Sequence, residues 1–344
     1  MTATYRAMAV TAPGRLELVE RPVPVPEAGE VLISVEACGI CGADRGDIEK
    51  ADPAVRRVPG HEVVGRITAL GPGVPAIWKV GQRVGVGRFG GHCGDCRECR
   101  RGKFHLCRQQ PVMGATRDGG YAEMMTARAT GLVSIPDDLS SEEAAPILCA
   151  GLATFNGLKV SGAGPGDTVA VLGIGGLGHM ALQYARRMGF RVIAIGRGPD
   201  IAAEALTLGA HRYVDTERED AAAVLTDIGG ARALLSTIGD TGVVASVMPG
   251  LQPEGRLVLL GIGRDPLAVA TGHLVGGERS IVGSITGSPY DNERALDFSV
   301  LTGARPWIET LPLERADEAF RRMLSGAVKF RMVLTMGDSA VAPQ

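Results

Sequence analysis

Several features are missing from this chain. No apolar run approaches the roughly 20 residues that span a bilayer, and the opening MTATYRAMAV lacks a secretory signal's long apolar segment, so a cytoplasmic protein with no membrane association is expected. No run of Lys and Arg forms a basic arm, and the formal net charge is −2, which removes the positive field that phosphate-backbone binding needs. Nucleic acid is therefore excluded as an expected partner. Aromatic residues amount to only 4%, which points to a substrate pocket lined by aliphatic side chains. Complete cysteine pairing is absent too, since the seven cysteines, Cys38, Cys41, Cys93, Cys96, Cys99, Cys107 and Cys149, are odd in number. In a chain without export signals, the crowding of four between Cys93 and Cys107 reads as metal binding rather than as disulfides. No internal repeat or low-complexity tract breaks the chain.

What is present suits a soluble protein of two ordinary domains: 344 residues, 45% hydrophobic and 22% charged. Glycine, at 49 residues, is about twice its usual share, which implies many tight turns and close backbone approaches. Up to about residue 150 the chain carries short strand-like runs broken by Gly and Pro. In VLISVEA at 31–37, Val31, Ile33 and Val35 share one face; VVGRITAL at 63–70 is similar and is closed by Gly71-Pro72-Gly73. Without long helical periodicity before about 140, this part reads as an antiparallel, barrel-like β domain. The stretch SEEAAPILCAGLATFNGLK then reads as a helix capped by Ser140 or Ser141.

From Gly166 strands alternate with helices. TVAVL at 168–172 is a buried strand; Leu177, Met180, Ala181, Tyr184, Ala185 and Met188 keep helical spacing until Gly189 stops the helix; RVIAI at 191–195 is the next strand. The alternation continues through AAEALTLGA, HRYVD, a helix near 219–228, ARALLSTI and GRLVLLG, and predicts a parallel doubly wound sheet. Beyond about 285, RADEAFRRML reads as a helix and FRMVLTM as a strand returning to the first domain.

Three constellations carry chemistry. Cys93, Cys96 and Cys99, with Cys107 eight positions on, supply four thiolates that close a tetrahedral zinc site with no open position, and such a site is structural. A loop of free or paired cysteines and an iron–sulfur cluster are the alternatives; His92 and His105 beside it read as solvated loop residues. Cys41 and His61 offer two further ligand types for zinc, with a third needed from farther along the chain. Gly173-Ile174-Gly175-Gly176-Leu177-Gly178 sits between a strand and a helix. In that context the first glycine allows the turn, the second admits a pyrophosphate to the backbone, and the third lets helix and strand pack closely. His179, at the start of this helix, reads as a surface residue.

GICGAD at 39–44, PGHEVVG at 59–65, the four-cysteine loop, PILCAG at 146–151 and GIGGLGH at 173–179 together resemble the zinc-dependent medium-chain alcohol dehydrogenases, over essentially the whole chain. The resemblance implies an α/β protein: a GroES-like β-barrel catalytic domain, 1–150 completed by 286–344, and a Rossmann doubly wound parallel-sheet domain at 151–285. It implies a catalytic zinc held by Cys41, His61 and Cys149, with Asp44 bonding His61 from behind and Glu62 able to approach the metal; a structural ion pair is the alternative for Glu62, and a buried helical cysteine for Cys149. Cys38 has no role in the resemblance and reads as a small buried residue. A second, structural zinc would occupy Cys93, Cys96, Cys99 and Cys107. Gly173, Gly175, Gly176, Leu177 and Gly178 would take the dinucleotide, Gly196 and Arg197 its adenosine ribose, and Arg331 its pyrophosphate unless it is a surface residue. The implied protein is a homo-oligomer, tetramer or dimer, acting on a small molecule.

The chain departs from that family in places. Ala43 and Gly46 stand where many relatives carry the Ser/Thr and His of a proton relay, and Gly42 where some carry a cation for the cofactor phosphates. The expected activity is hydride transfer between a nicotinamide cofactor and an alcohol/aldehyde or ketone pair. The missing relay leaves open a reductase of an iminium ion or activated C=C bond, and, from another class, a non-catalytic zinc- and nucleotide-binding protein. At Ile195-Gly196-Arg197-Gly198 no carboxylate closes the second strand and an arginine follows, which favours NADP(H), with NAD(H) as the alternative.

Overall fold

The computed structural model describes residues 3–337. Its contacts divide into two compact units: one runs to Cys149 and resumes at Gly287, and the other is Ala150–Thr286.

The first unit is built on β structure. Thr4–Ala12 and Arg15–Pro22 form an antiparallel hairpin. A seven-stranded sheet follows the order Ile308–Pro312, Arg331–Thr335, Glu30–Ile40, Glu62–Leu70, Arg83–Val86 and Leu132–Ser134, with Met124–Arg128 pairing the other edge of Glu30–Ile40. All pairings are antiparallel except the first. The long strand Glu30–Ile40 is the hub. Val31, Ile33 and Val35 are buried as their alternation predicts, but Leu32 is buried as well, because this strand lies under cover on more than one side. Register shifts at Leu32/Ile33 and Val35/Ala37 bend it against its neighbour, as bulges do in barrels. The C-terminal strand returns here as expected, Met332 opposite Ile40 and Val333 opposite Gly39.

The helix expected from residue 141 does start after Ser140, whose hydroxyl accepts from the Glu143 N–H while the Glu143 carboxylate accepts from the Ser140 N–H. It is not one regular helix, however. Ser141–Pro146 passes into a π-helical turn, Ile147–Gly151, before Leu152–Val160 resumes the α form. Pro146 has no N–H for the preceding turn and its ring crowds the carbonyl four residues back, so the ladder widens. The Leu148 carbonyl instead accepts from the side-chain amide of the buried Asn292 at 3.2 Å.

The second unit is a six-stranded sheet, parallel throughout. Its strands, numbered first to sixth in chain order, are Thr168–Leu172, Arg191–Gly196, Arg212–Asp215, Ala231–Ser236, Leu251–Leu259 and Ser280–Gly283, and they lie in the spatial order 3-2-1-4-5-6. That is the doubly wound arrangement with a switch point beside the first strand, where dinucleotides bind in such sheets. TVAVL is buried at every position, as a strand covered on both faces must be. Helix Gly178–Arg187 ends at Gly189, whose φ of +85° suits glycine. The helix expected near 219–228 is Ala221–Asp227, capped by Asp220. No helix among the described residues is long and apolar enough to cross a membrane.

Replacing Ser140 by Ala removes the hydroxyl that accepts from the Glu143 N–H and leaves only the bond from the residue-140 N–H to the Glu143 carboxylate. The unfolding free energy should fall by about 1 kcal/mol, read as a lower urea midpoint, while Ser140→Asp should keep most of it.

Candidate metal and cofactor sites

The chain's two histidine–cysteine and cysteine clusters both form. Cys41, at the end of Glu30–Ile40, His61 and Glu62, at the start of the next strand, and Cys149, in the π-helical turn, bring one ligand atom each within 4.8 Å of one another. The two sulfurs are 3.8 Å apart. Two thiolates held about 2.3 Å from one tetrahedral zinc stand about 3.8 Å from each other, so the spacing suits a shared ion. The His61 Nε2 atom is buried and has no hydrogen-bond partner among the described residues, and it is the nitrogen within reach of the two sulfurs. Its other nitrogen, Nδ1, is 2.7 Å from Asp44 Oδ1, which places a proton on Nδ1 and makes Nε2 the nitrogen that would turn to a metal once its own proton is displaced. Burial opposes the charged ring, but the Asp44 carboxylate outweighs it and the thiol of Cys41 adds to it, so the metal-free imidazole is held up at about 10.

Asp44 is itself fully buried, at the start of helix Asp44–Glu49. Its Oδ2 accepts from the Cys41 N–H at 2.8 Å and from the Tyr121 hydroxyl at 2.9 Å. Tyr121 went unrecognised in the sequence: a tyrosine after Gly119-Gly120 carries no mark of a polar partner 77 positions away. Gly60 is required beside it. Its φ is +98°, and a Cβ there would lie 2.4 Å from the Tyr121 ring. A second unforeseen pair lies behind His61. Arg88 ion-pairs with Asp47, with Nη2 donating to Oδ1 at 3.1 Å, and its Nη1 is 3.3 Å from His61 Nδ1. Asp44, Asp47 and His61 also cluster closely enough for a cation, and the Arg88 guanidinium supplies that positive charge.

Glu62 pairs with Arg331 through Oε1, and both are buried. Burial raises the Glu62 carboxyl to about 7 despite this arginine. Its Oε2 has no hydrogen-bond partner among the described residues. Gly39 makes this possible: it sits opposite Glu62 across the strand pair, and a Cβ there would be 2.0 Å from Oε2. Arg331 is only 4% exposed, so it is not a surface residue. Cys38 is fully buried, as expected of a small core residue.

Cys93, Cys96, Cys99 and Cys107 form the second cluster. Sulfur separations are 3.6 Å for Cys93–Cys107, 3.5 Å for Cys96–Cys99 and 3.9 Å for Cys93–Cys99, again the spacing of thiolates around one ion. Backbone N–H groups of Cys93, Cys96 and Gln109 each point at a sulfur at 3.4 Å. Two flanking residues differ from expectation. His92 is half-buried and stacks on Phe104 with ring centroids 4.2 Å apart, and His105 is half-buried too; burial depresses both imidazoles.

In the second unit, Gly173, Gly175, Gly176 and Leu177 form the turn between Thr168–Leu172 and the helix that begins at Gly178. Gly173 has φ +91°, and a Cβ there would strike Ile238 at 2.4 Å; a Cβ on Gly178 would be 2.0 Å from the Gly173 carbonyl; one on Gly175 would meet nothing within 4 Å. Tight turn, close packing and an open face at the middle glycine are what a dinucleotide pyrophosphate requires. His179 is fully buried rather than at the surface, as is every residue of this helix from Gly178 to Ala185. Gly196 ends the second strand and Arg197 is exposed beside it.

A β unit carrying a thiol–imidazole cluster, with a parallel dinucleotide-type sheet, defines a metal- and nucleotide-dependent oxidoreductase. Residues 27–137 match the alcohol dehydrogenase GroES-like domain and residues 176–300 the zinc-binding dehydrogenase domain. The chain is 40% identical to alcohol dehydrogenase patD of Penicillium expansum, over 97% of this chain and 98% of that one. It is likewise 40% identical to an alcohol dehydrogenase of Geobacillus stearothermophilus, over 93% and 96%. The solved structure of CAD from Helicobacter pylori complexed with NADP(H) superposes with a TM-score of 0.85 at 26% identity, covering 98% of this chain and 100% of the other. The chain belongs to the zinc-dependent medium-chain alcohol dehydrogenase family, and it is a zinc- and nicotinamide-dependent oxidoreductase.

Asp44→Ala should weaken zinc binding at the His61 cluster about 10–100-fold in a chelator competition, while zinc bound by the four-cysteine loop is unchanged.

Proposed function

We propose that this enzyme passes a hydride between NADP(H), in preference to NAD(H), and an alcohol/aldehyde or ketone pair of small molecules. The observation that carries the reading is the convergence of two thiols and one unpartnered imidazole nitrogen, from Cys41, Cys149 and His61, in a single buried cluster. These three are assigned to a catalytic zinc, and Cys93, Cys96, Cys99 and Cys107 to a structural one, giving two per subunit. The domain assignment is a GroES-like catalytic domain at 1–150 completed by 286–344, with the dinucleotide domain at 151–285. When bound, the zinc supplies Lewis acidity that polarises a carbonyl or lowers an alcohol's pKa, and the nicotinamide carries the hydride.

The protein's own part is largely orientation. Asp44 fixes the tautomer and plane of His61, and Tyr121 and the Cys41 N–H fix Asp44. Glu62, neutralised on one oxygen by Arg331, keeps the other free to approach the metal. Gly173, Gly175, Gly176, Leu177 and Gly178 are assigned to the pyrophosphate, Gly196 and Arg197 to the adenosine ribose and its phosphate, and Arg331 to a further cofactor contact. With Ala43 and Gly46 unable to relay a proton, water takes that role. In support, a Cβ on Gly46 would meet nothing within 4 Å, and Gly46 and Asp47 line a cavity of about 270 Å³. The same two residues favour a second reading, reduction of an iminium ion or activated C=C bond, in which the missing relay costs nothing. A homo-oligomer, tetramer or dimer, and a cytoplasmic location go with the first reading.

Elemental analysis should return two zinc ions per subunit, falling to one in Cys149→Ala and to one in Cys96→Ala; a single ion in the unaltered protein removes the structural site from the proposal. A panel of alcohols, aldehydes, ketones and imines, assayed with both cofactors, should show turnover of alcohol–carbonyl pairs and a higher kcat/KM with NADPH than with NADH. Turnover confined to imines or activated alkenes would transfer the enzyme to the second reading.

A further inference from the structure

The end of the second strand of the parallel sheet is shaped by a residue on the third. Tyr213 lies in Arg212–Asp215, and its hydroxyl donates to the Gly198 carbonyl at 2.6 Å. The same phenol crowds Gly196: a Cβ built there would lie 2.7 Å from the hydroxyl oxygen and 3.0 Å from the nearest ring carbon. Gly196 is the residue that ends the strand, twenty positions after Gly176, where a carboxylate would reach the ribose 2′-hydroxyl of NAD. So any side chain at this position, an acidic one included, starts inside space that Tyr213 occupies.

The rest of the turn is tied from the same strand. The Gly198 N–H donates to Asp215 Oδ1 at 2.8 Å, and the Thr216 N–H donates to the Gly196 carbonyl at 2.9 Å. Gly198 has φ +77°, which only glycine adopts without strain. Asp215 Oδ1 also accepts from the Glu217 N–H at 3.0 Å, while Oδ2, 3.6 Å from Arg218, is buried without a hydrogen-bond partner among the described residues, so this carboxylate is not presented at the surface to a ribose. Between the two tied glycines, Arg197 is exposed and has no hydrogen-bond or ion-pair partner among the described residues. An unpaired guanidinium on a fixed turn is suited to a phosphate dianion.

We propose that Tyr213 is a specificity-determining residue for the cofactor: it denies position 196 to a carboxylate and holds the Gly196–Gly198 turn so that Arg197 faces the 2′-phosphate of NADP(H). This rests on the assignment of Gly196 and Arg197 to the adenosine ribose made above.

The experiment measures dissociation constants for NADPH and NADH by cofactor fluorescence on the zinc-loaded protein, with thermal midpoints as a check on folding. The unaltered protein should bind NADPH at least about tenfold more tightly than NADH. Tyr213→Phe keeps the ring but frees the turn, and should weaken NADPH severalfold while leaving NADH unchanged. Gly196→Asp alone should fail to gain NADH affinity, because its side chain meets the phenol; Gly196→Asp combined with Tyr213→Val should gain about tenfold for NADH over Gly196→Asp alone. The role of Tyr213 is overturned if Gly196→Asp alone binds NADH as well as the double variant does, or if Tyr213→Phe binds NADPH with unaltered affinity. A preference for NADH in the unaltered protein would instead overturn the NADP(H) reading. The comparison of single and double variants still decides whether Tyr213 keeps a carboxylate out.

Discussion

A buried carboxylate ties the cysteine–histidine cluster together. Asp44 is out of contact with solvent, and a charge there is tolerable because the Cys41 N–H and the Tyr121 hydroxyl both donate to Oδ2 and the His61 imidazole lies 2.7 Å from Oδ1 as its ion-pair partner. These three come from separate segments, so satisfying one carboxylate also brings the thiol, the imidazole and the 121 loop into register. The Arg88–Asp47 pair adds an outer layer, setting a guanidinium 3.3 Å from the same ring nitrogen. Orientation of the imidazole therefore follows from the folding of the whole unit rather than from the PGHE segment that contains it.

The second constraint is the return of the chain's end to the first sheet. Strand Arg331–Thr335 pairs with Glu30–Ile40, and its first residue delivers a guanidinium to Glu62. Gly39 lies between them in the sheet and must lack a side chain, since a Cβ would occupy the position of Glu62 Oε2. Without this late strand, Glu62 would be a buried carboxylate lacking its guanidinium partner. The ion pair of Glu62 thus forms only when a segment some 270 residues distant has docked, which makes it a product of long-range pairing.

Much of this was legible in the sequence, for identifiable reasons. The parallel sheet announced itself because strands buried on both faces read as continuous apolar runs and their helices keep a period of 3.6. The four-cysteine loop was legible because its cysteines are close in sequence, and the glycine turn because each glycine answers a local steric demand. Other features lacked such local marks. The π-helical turn under Cys149 could have been suspected from Pro146, whose missing N–H interrupts the ladder, yet hydrophobic periodicity alone reads through it as one helix. His179 and His92 were misplaced toward solvent because burial of a histidine depends on what packs over it, His92 on Phe104, and periodicity assigns it no face.

The sequence by itself determined the ligand types, their order and the class of chemistry they support, because thiolate, imidazole and glycine-rich turn each act through properties that a residue carries wherever it sits. Only the tertiary structure decided which groups meet: Tyr121 with Asp44, Arg88 with Asp47 behind His61, Arg331 with Glu62, and Tyr213 against Gly196. Each of these is a contact between segments that pair across a sheet or close a loop. Distance along the chain carries no record of such encounters, which arise when apolar strands are buried and the polar groups buried with them must find partners.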